Sequence, residues 1–367
     1  MTGRERILRT VAGQPVDRVP LAPFLHVNSI RELRQNNAVD VVSETVAVYQ
    51  ELGFDMIHRN CTPAYDDFAI AGPDWTPEVT EEKGPDWTET TLTIRTPGGP
   101  LRRITRAGQL YQYESSCFLV EPPIKSPADL DLCQRYQPPV PALDTSDIAR
   151  ARRLVGEEGV IAPWAQGAFN EVAYLVRGIN ILLDPLDDEG FYRALISYFL
   201  ERNLQKLRQF VTAGADFISL GGNEANGTCV GPAYFRDYVL EYEARLMSAL
   251  HQMGGRAIYH NCGRAALLLP LLRSIGMDIY ESLTPAPFGD TKLEQALEVM
   301  DGVSLMGGVD QIQFLREAKP AQVRDRIRSM ARAVSGHRRF ILGTSDYINE
   351  YTPIDNLRAL RAGLEDL

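Results

Sequence analysis

Histidine, cysteine and tryptophan are all scarce: five, five and three in 367 residues. Basic residues are also in deficit, 38 against 48 acidic ones, for a formal charge of −10. That balance argues against a nucleic-acid binder, whose contacts rest on a basic surface. It also disfavours a polyanionic substrate unless a local basic pocket overrides the field. No run approaches the roughly 20 apolar residues of a membrane span. The opening MTGRERILRTVAG carries charges at helical spacing and lacks an apolar core of signal-peptide length. Neither G-x-x-x-x-G-K-[ST] nor G-x-G-x-x-G occurs, so there is no phosphate-loop case. The cysteines are odd in number and lack tight disulfide spacing, so at least one stays unpaired within the chain, which suits a reducing compartment. A soluble cytoplasmic protein is the expectation.

What the chain does have is a rhythm. Short apolar runs recur at 19–26, 54–58, 159–166, 216–222, 256–262, 277–282, 303–309 and 339–346. Helical patterns lie between them, the clearest over 187–213, 232–253 and 311–335. Alternating strand and helix implies a parallel sheet, because each crossover needs a helix to return the chain. Eight such units predict a (β/α)8 TIM barrel, with a doubly wound open sheet as the alternative, and one domain spanning 1–367. One region breaks the rhythm. TETTLTIRTPGGPLRRITRAG alternates apolar and polar residues around Pro97-Gly98-Gly99-Pro100, which predicts a β-hairpin insertion after the second strand, about 83–115. Beyond it, Ser126 followed by Pro127 predicts a helix start.

In a barrel, catalytic groups project from the C-terminal strand ends. The polar residues closing each apolar run are therefore the candidates. The sharpest is AIYHNCGR, Ala257 to Arg264, where a strand finishes on His260, one spacer and Cys262. Residues i and i+2 of a strand face the same side, so imidazole and thiolate converge, and Gly263 lets the chain turn away. Zinc accepts nitrogen and sulfur and wants further ligands. Glu224, closing the preceding strand, and Asp346, closing the eighth, are the candidates for these. His26, His58, Trp164, Glu281 and Tyr347 close other runs and are expected to line the substrate pocket.

From RERILRTVAGQPVDRVPLAPF through GAFNEVAYLVRG, GADFISLGGN and YHNCGRAALLLPLLRSIGMDIYESLTPAP to LMGGVDQ and TPIDNLRAL, the chain resembles the uroporphyrinogen decarboxylase superfamily. The resemblance is collinear and nearly complete, and it implies a (β/α)8 barrel. True uroporphyrinogen decarboxylases carry an arginine-rich segment after the first strand that grips the substrate carboxylates. Here that region reads FLHVNSIRELRQ, without the paired-arginine motif. The chain looks closer to the zinc methyltransferases that work with corrinoid proteins. Their thiol-methylating members carry H-x-C and a second Cys near the last strand. His260 and Cys262 match the first part, whereas LGTSDYI places Ser345 and Asp346 at the second. Relatives that demethylate aryl methyl ethers carry two glutamates upstream of the histidine. Glu224 stands at the spacing of the first, and Val239 at that of the second. The resemblance thus implies zinc-dependent methyl transfer between a small methyl ether or thiol and a corrinoid (methylcobalamin or cob(I)alamin) on a partner protein, with O-demethylation favoured. Glu224, His260 and Cys262 are the catalytic set it implies. The rival expectations are a metal-free decarboxylase of a smaller acid and a non-catalytic accessory subunit for a corrinoid protein.

Overall fold

The computed structural model describes residues 1–365. Parallel strands alternate with helices along most of the chain. β1 (Met56–His58) comes first, and an antiparallel sheet follows it: β2 (Thr76–Lys83), β3 (Trp87–Thr96), β4 (Gly99–Gln109) and β5 (Ser115–Glu121). The parallel series then resumes with β6 (Gly159–Ile161), β7 (Trp164–Gln166), β8 (Ile218–Gly221), β9 (Ala257–His260), β10 (Ile279–Glu281), β11 (Ser304–Val309) and β12 (Phe340–Thr344). β1 pairs with β6, and β7 to β12 pair successively in one parallel sheet.

Main-chain hydrogen bonds link these two groups. Ile161 O accepts from both Asp216 N–H and Phe217 N–H, at 2.9 and 3.0 Å, just before β8. At the other end Leu21 bridges Leu342 of β12, and Leu21 O accepts from Asp55 N–H at 2.8 Å, just before β1. The run 19–26, expected as a strand, is therefore only this bridge. Pro20 and Pro23 flank it and bring no N–H, so the ladder cannot lengthen. The run 159–166, expected as one strand, is split into β6 and β7 by Pro163 for the same reason.

The hairpin expected over about 83–115 corresponds to β3 and β4, which turn at Pro97-Gly98 with Thr96 opposite Gly99. The sheet there is larger than expected, with four strands running from 76 to 121. β2, TPEVTEEK, is nearly all polar and exposed, so apolar periodicity gave it no signal. Among the helices, 187–213 corresponds to Glu189–Thr212, started by the Asp188 carboxylate accepting from Phe191 N–H at 2.9 Å. The 311–335 pattern breaks before Pro320 into Phe314–Glu317 and Pro320–Ala333. Ser126 caps Pro127–Tyr136 as expected, in a reciprocal capping box with Asp129.

The core divides into two clusters. The larger fills the space between strands and helices. The smaller draws on every parallel segment: Ala22, Ile57, Val160, Ala162, Phe217, Ile258, Ile279, Met306 and Ile341, with Ile7 of the first helix at one end. Side chains two apart on a strand share a face. The residues two places after each member of this cluster therefore stand together beyond its far end, and there the candidate site lies.

Candidate active site

Counting by twos from the inner cluster gives Phe24, Arg59, Trp164, His260 and Glu281. The parallel register sets Glu281 directly beside His260, and His260 beside Gly221. His260 is 2% exposed, Glu281 1% and Arg59 2%. The Glu281 carboxylate accepts from His260 Nδ1 at 2.9 Å and from both Arg59 guanidinium nitrogens, at 2.8 and 2.6 Å. Arg59 in turn lies 4.3 Å above the Phe24 ring and 5.4 Å from that of Trp164. With Nδ1 engaged by Glu281, Nε2 is left facing Asp346, whose Oδ1 is 3.6 Å away.

His260, Cys262 and Asp346 offer nitrogen, sulfur and oxygen ligand atoms that all lie within 4.8 Å of one another. Donors on a tetrahedral zinc sit roughly 3.3–3.8 Å apart, so a small contraction closes the set. The donor chemistry fits zinc, and the Nδ1–Glu281 bond is the outer contact that a ligating imidazole requires. The backbone is built to hold this arrangement. Gly263 has φ of +94° and turns the chain away directly after Cys262. Ser282 is buried with φ of +84°, a strained position for a residue with a side chain, and its Oγ stands 3.0 Å from His260 Nδ1. Gly307 allows that conformation: a Cβ there would come within 2.9 Å of Leu283 N.

His260 and Asp346 of this trio line a cavity of about 640 Å³. Phe24, Trp164 and Tyr347 form aromatic walls, with His26, Asn60, Gln166 and Glu224 among the polar lining. Trp164 packs edge-on to His260 at 5.7 Å, and its buried Nε1–H has no partner among the described residues. Tyr347 packs on His26 at 5.2 Å and donates its hydroxyl proton to Glu114, from the loop joining β4 to β5.

Electrostatics follow from burial and neighbours. For His260, burial opposes the charged imidazole, but the Asp346 carboxylate 3.6 Å from Nε2, the neighbouring Cys262 and the bond to Glu281 outweigh it and hold the pKa well above the usual value. For Glu281, burial would push the pKa up, yet Arg59 and His260 bring it down to about 2, so it is a carboxylate. His26 is lowered to about 4, chiefly by burial and despite Asp346, so it faces the cavity neutral.

The structure thus brings His260, Cys262 and Asp346 together, and places His26, Trp164, Tyr347 and Glu224 on the cavity wall. Glu224 stands outside the trio, its backbone N–H held by Asn170 Oδ1 at 2.8 Å. Two expectations are corrected. Glu281 does not face substrate; it is buried behind His260 between that ring and Arg59. His58 is turned out of the site altogether, fully buried with Nε2 3.0 Å from Val42 O. Ile57 takes the inner face of β1, so the next inner position is Arg59, and His58 points to the helix Val41–Leu52. Arg59 is the residue that sequence reading missed.

The profile of the uroporphyrinogen decarboxylase (URO-D) family matches residues 110–365. The methylcobamide:CoM methyltransferase MtbA of Methanosarcina mazei is 21% identical over 370 residues, covering 98% of this chain and 96% of that protein. A methylated-thiol–coenzyme M methyltransferase of the same organism is 26% identical over 147 residues, 40% of this chain and 36% of that protein. Among solved structures, a methyltransferase from Methanosarcina mazei superposes with a TM-score of 0.65 at 16% identity, covering 100% of this chain and 99% of that one. A B12-independent methionine synthase from Shewanella sp. W3-18-1 superposes at 0.54 and 13% identity, covering 95% and 96%. These two likenesses speak to the fold, and the profile match to descent: the chain belongs to the uroporphyrinogen decarboxylase family.

Proposed function

We propose that this chain is a zinc-dependent methyltransferase. It moves a methyl group between a small substrate and a corrinoid, methylcobalamin or cob(I)alamin, carried by a partner protein. The observation that carries the reading is the nitrogen–sulfur–oxygen trio of His260, Cys262 and Asp346, two of whose members, His260 and Asp346, line an aromatic cavity. The names of the relatives, a methylcobamide and a methylated-thiol methyltransferase, support the reaction class. The architecture proposed with it is a single domain in which the parallel segments close into a (β/α)8 barrel, supported by the bonds through Leu21 and Ile161 and by the inner cluster. The cytoplasm is the proposed compartment. All five cysteines are free, and among the described residues no helix is long and apolar enough to cross a membrane.

His260, Cys262 and Asp346 would hold the ion. Zinc bound there supplies Lewis acidity to the heteroatom that bears the methyl group. Phe24, Trp164 and Tyr347 hold a flat substrate by ring contacts. Trp164 Nε1–H can donate to it, and the Asn60 side-chain oxygen, whose NH2 is already given to Leu25 O and Thr45 Oγ1, can accept from it, which fixes its orientation. Glu224 is assigned to the cavity side, where it faces the substrate or completes the donor set. A carboxylate donor at Asp346, where thiol-methylating relatives resembling this chain carry a cysteine, gives a harder and less electron-rich donor set. That favours activating an ether oxygen over holding a thiolate, so an aryl methyl ether is the preferred substrate.

The test is metal content with turnover. Purified protein is expected to hold about one zinc per chain, lost in His260→Ala. Methyl transfer from an aryl methyl ether to cob(I)alamin should disappear with the metal. Unchanged metal content in His260→Ala would reject the ligand assignment. Full turnover of an acid after chelation would place the chain with the decarboxylases instead.

A further inference from the structure

A second chamber, about 240 Å³ in volume, lies beside the first. Its walls come from three elements: Phe118 and Leu119 of β5, Phe169 and Ala173 of the helix Ala168–Leu175, and Ile181 and Leu182 of the short turn Gly178–Leu182. Tyr174 and Glu224 line both chambers and so form their common boundary. The floor is buried, with Phe169, Ala173 and Ile181 all in the core, whereas the rim is apolar and open, Phe118 63% and Ile179 70% exposed. The antiparallel sheet is what makes the chamber, since β5 supplies one whole side.

The chemistry of the occupant follows from the lining. Apart from Cys117 the walls are aliphatic and aromatic, and Glu224 at the boundary disfavours an anionic occupant. A dry apolar cavity of about 150 Å³ accepts benzene, so this chamber has room for a short alkyl chain or a substituted ring. It is concave with a buried floor, as small-molecule sites are. We infer that it is a specificity subsite that receives a neutral alkyl or aryl arm of the substrate while the methyl-bearing heteroatom lies near His260. The inference rests on the small-substrate reading of the main cavity.

Phenol and 4-propylphenol, titrated calorimetrically against the full chain, test it. The propyl compound is expected to bind about tenfold or more tighter, since three methylenes leave water. Two variants fill the chamber from different sides: Ala173→Phe on the floor, and Leu119→Trp on β5, where the wall is half-exposed and folding is not at risk. Each should reduce the preference to less than about threefold while phenol affinity and zinc content stay as in the parent. Equal affinity for the two phenols in the parent overturns the inference, as does a preference that survives in Leu119→Trp. A propyl preference that falls as protein concentration rises would show a second copy covering the rim, and would overturn it too. The functional reading fails separately. If His260→Ala keeps its zinc but the propyl preference persists, the metal assignment falls and the subsite stands.

Discussion

Arg59→Met is the most informative perturbation of the site. The substitution keeps much of the side-chain volume and removes only the guanidinium. Among the described residues, Glu281, 1% exposed, then keeps the His260 Nδ1 contact at 2.9 Å as its remaining side-chain hydrogen bond. Breaking a buried ion pair by removing one member typically destabilises by about 3–5 kcal/mol, because the survivor stays desolvated without its counter-charge. The pH dependence has a definite sign. Glu281 is held at about 2 in the folded protein, below its unfolded value of roughly 4.3. Its contribution is therefore present above the unfolded value and lost as pH falls towards the folded one. Without Arg59 the folded pKa rises, so the acid limb of unfolding moves to higher pH. Once Glu281 protonates, it no longer accepts His260 Nδ1–H as a charge, and zinc affinity is expected to drop about 10- to 100-fold. Urea unfolding between pH 3 and 8, with zinc affinity by chelator competition, reads both effects. A variant as stable as the parent across that range, binding zinc equally well, would refute the reasoning. Glu281→Gln should weaken zinc similarly, and the double variant should lose much less stability than the two single losses added together.

Asp346→Asn keeps an oxygen but loses the charge, and zinc affinity is expected to fall roughly a hundredfold or more; equal affinity by competition would remove Asp346 from the donor set. His58→Gln should cost about 1–3 kcal/mol by disturbing the bond to Val42 O and leave zinc content and phenol binding untouched; a change in either ligand would return His58 to the site. Glu243 is fully buried, and burial raises its pKa to about 7 against hydrogen bonds from Phe169 and Ala168 N–H. The folded state therefore holds its proton more tightly, and stability falls as pH rises from about 4.5 to 7. Glu243→Gln should gain on the parent by up to about 3 kcal/mol between pH 5 and pH 8; a difference that does not vary with pH would show the carboxyl already ionised.

The strand–helix rhythm was legible because buried parallel strands read as short apolar runs. It misled only where proline intervened, at Pro20, Pro23 and Pro163, which remove ladder donors without disturbing hydrophobicity. β2 was illegible because both its faces meet solvent. At the site, His260 and Cys262 were legible because two rare ligand types closed one strand at the spacing that puts them on one face. Asp346 was legible from its place at the last strand end. Strand ends alone could not say which face a side chain takes, and that is why His58 was chosen over Arg59. Parity supplies the missing information. Ile57, Ile258 and Ile279 are all inner-face residues, and two places on stand Arg59, His260 and Glu281. Parity still could not tell that Arg59 would cover Glu281, because that depends on a long side chain crossing between β1 and β10.

That crossing explains why an arginine belongs in the site at all. Were zinc held as proposed, it would replace a proton on His260, and the Cys262, Asp346 and Glu281 side chains around it would together bring three negative charges, of which Arg59 returns one. The remaining two are what a divalent ion would balance, so the proposed cluster would reach neutrality with zinc and not with a monovalent cation. A cysteine in place of Asp346 would leave this count unchanged, so the departure from the thiol-methylating pattern alters donor hardness without altering charge. Charge alone would accept any dication. On the proposed reading, the Cys262 sulfur and the His260 imidazole would favour zinc over magnesium or calcium, which take oxygen ligands. Removing Arg59 would instead leave the cluster one negative charge in excess even with the metal bound, which is why its loss should be felt in zinc affinity although it touches no ligand atom of the trio.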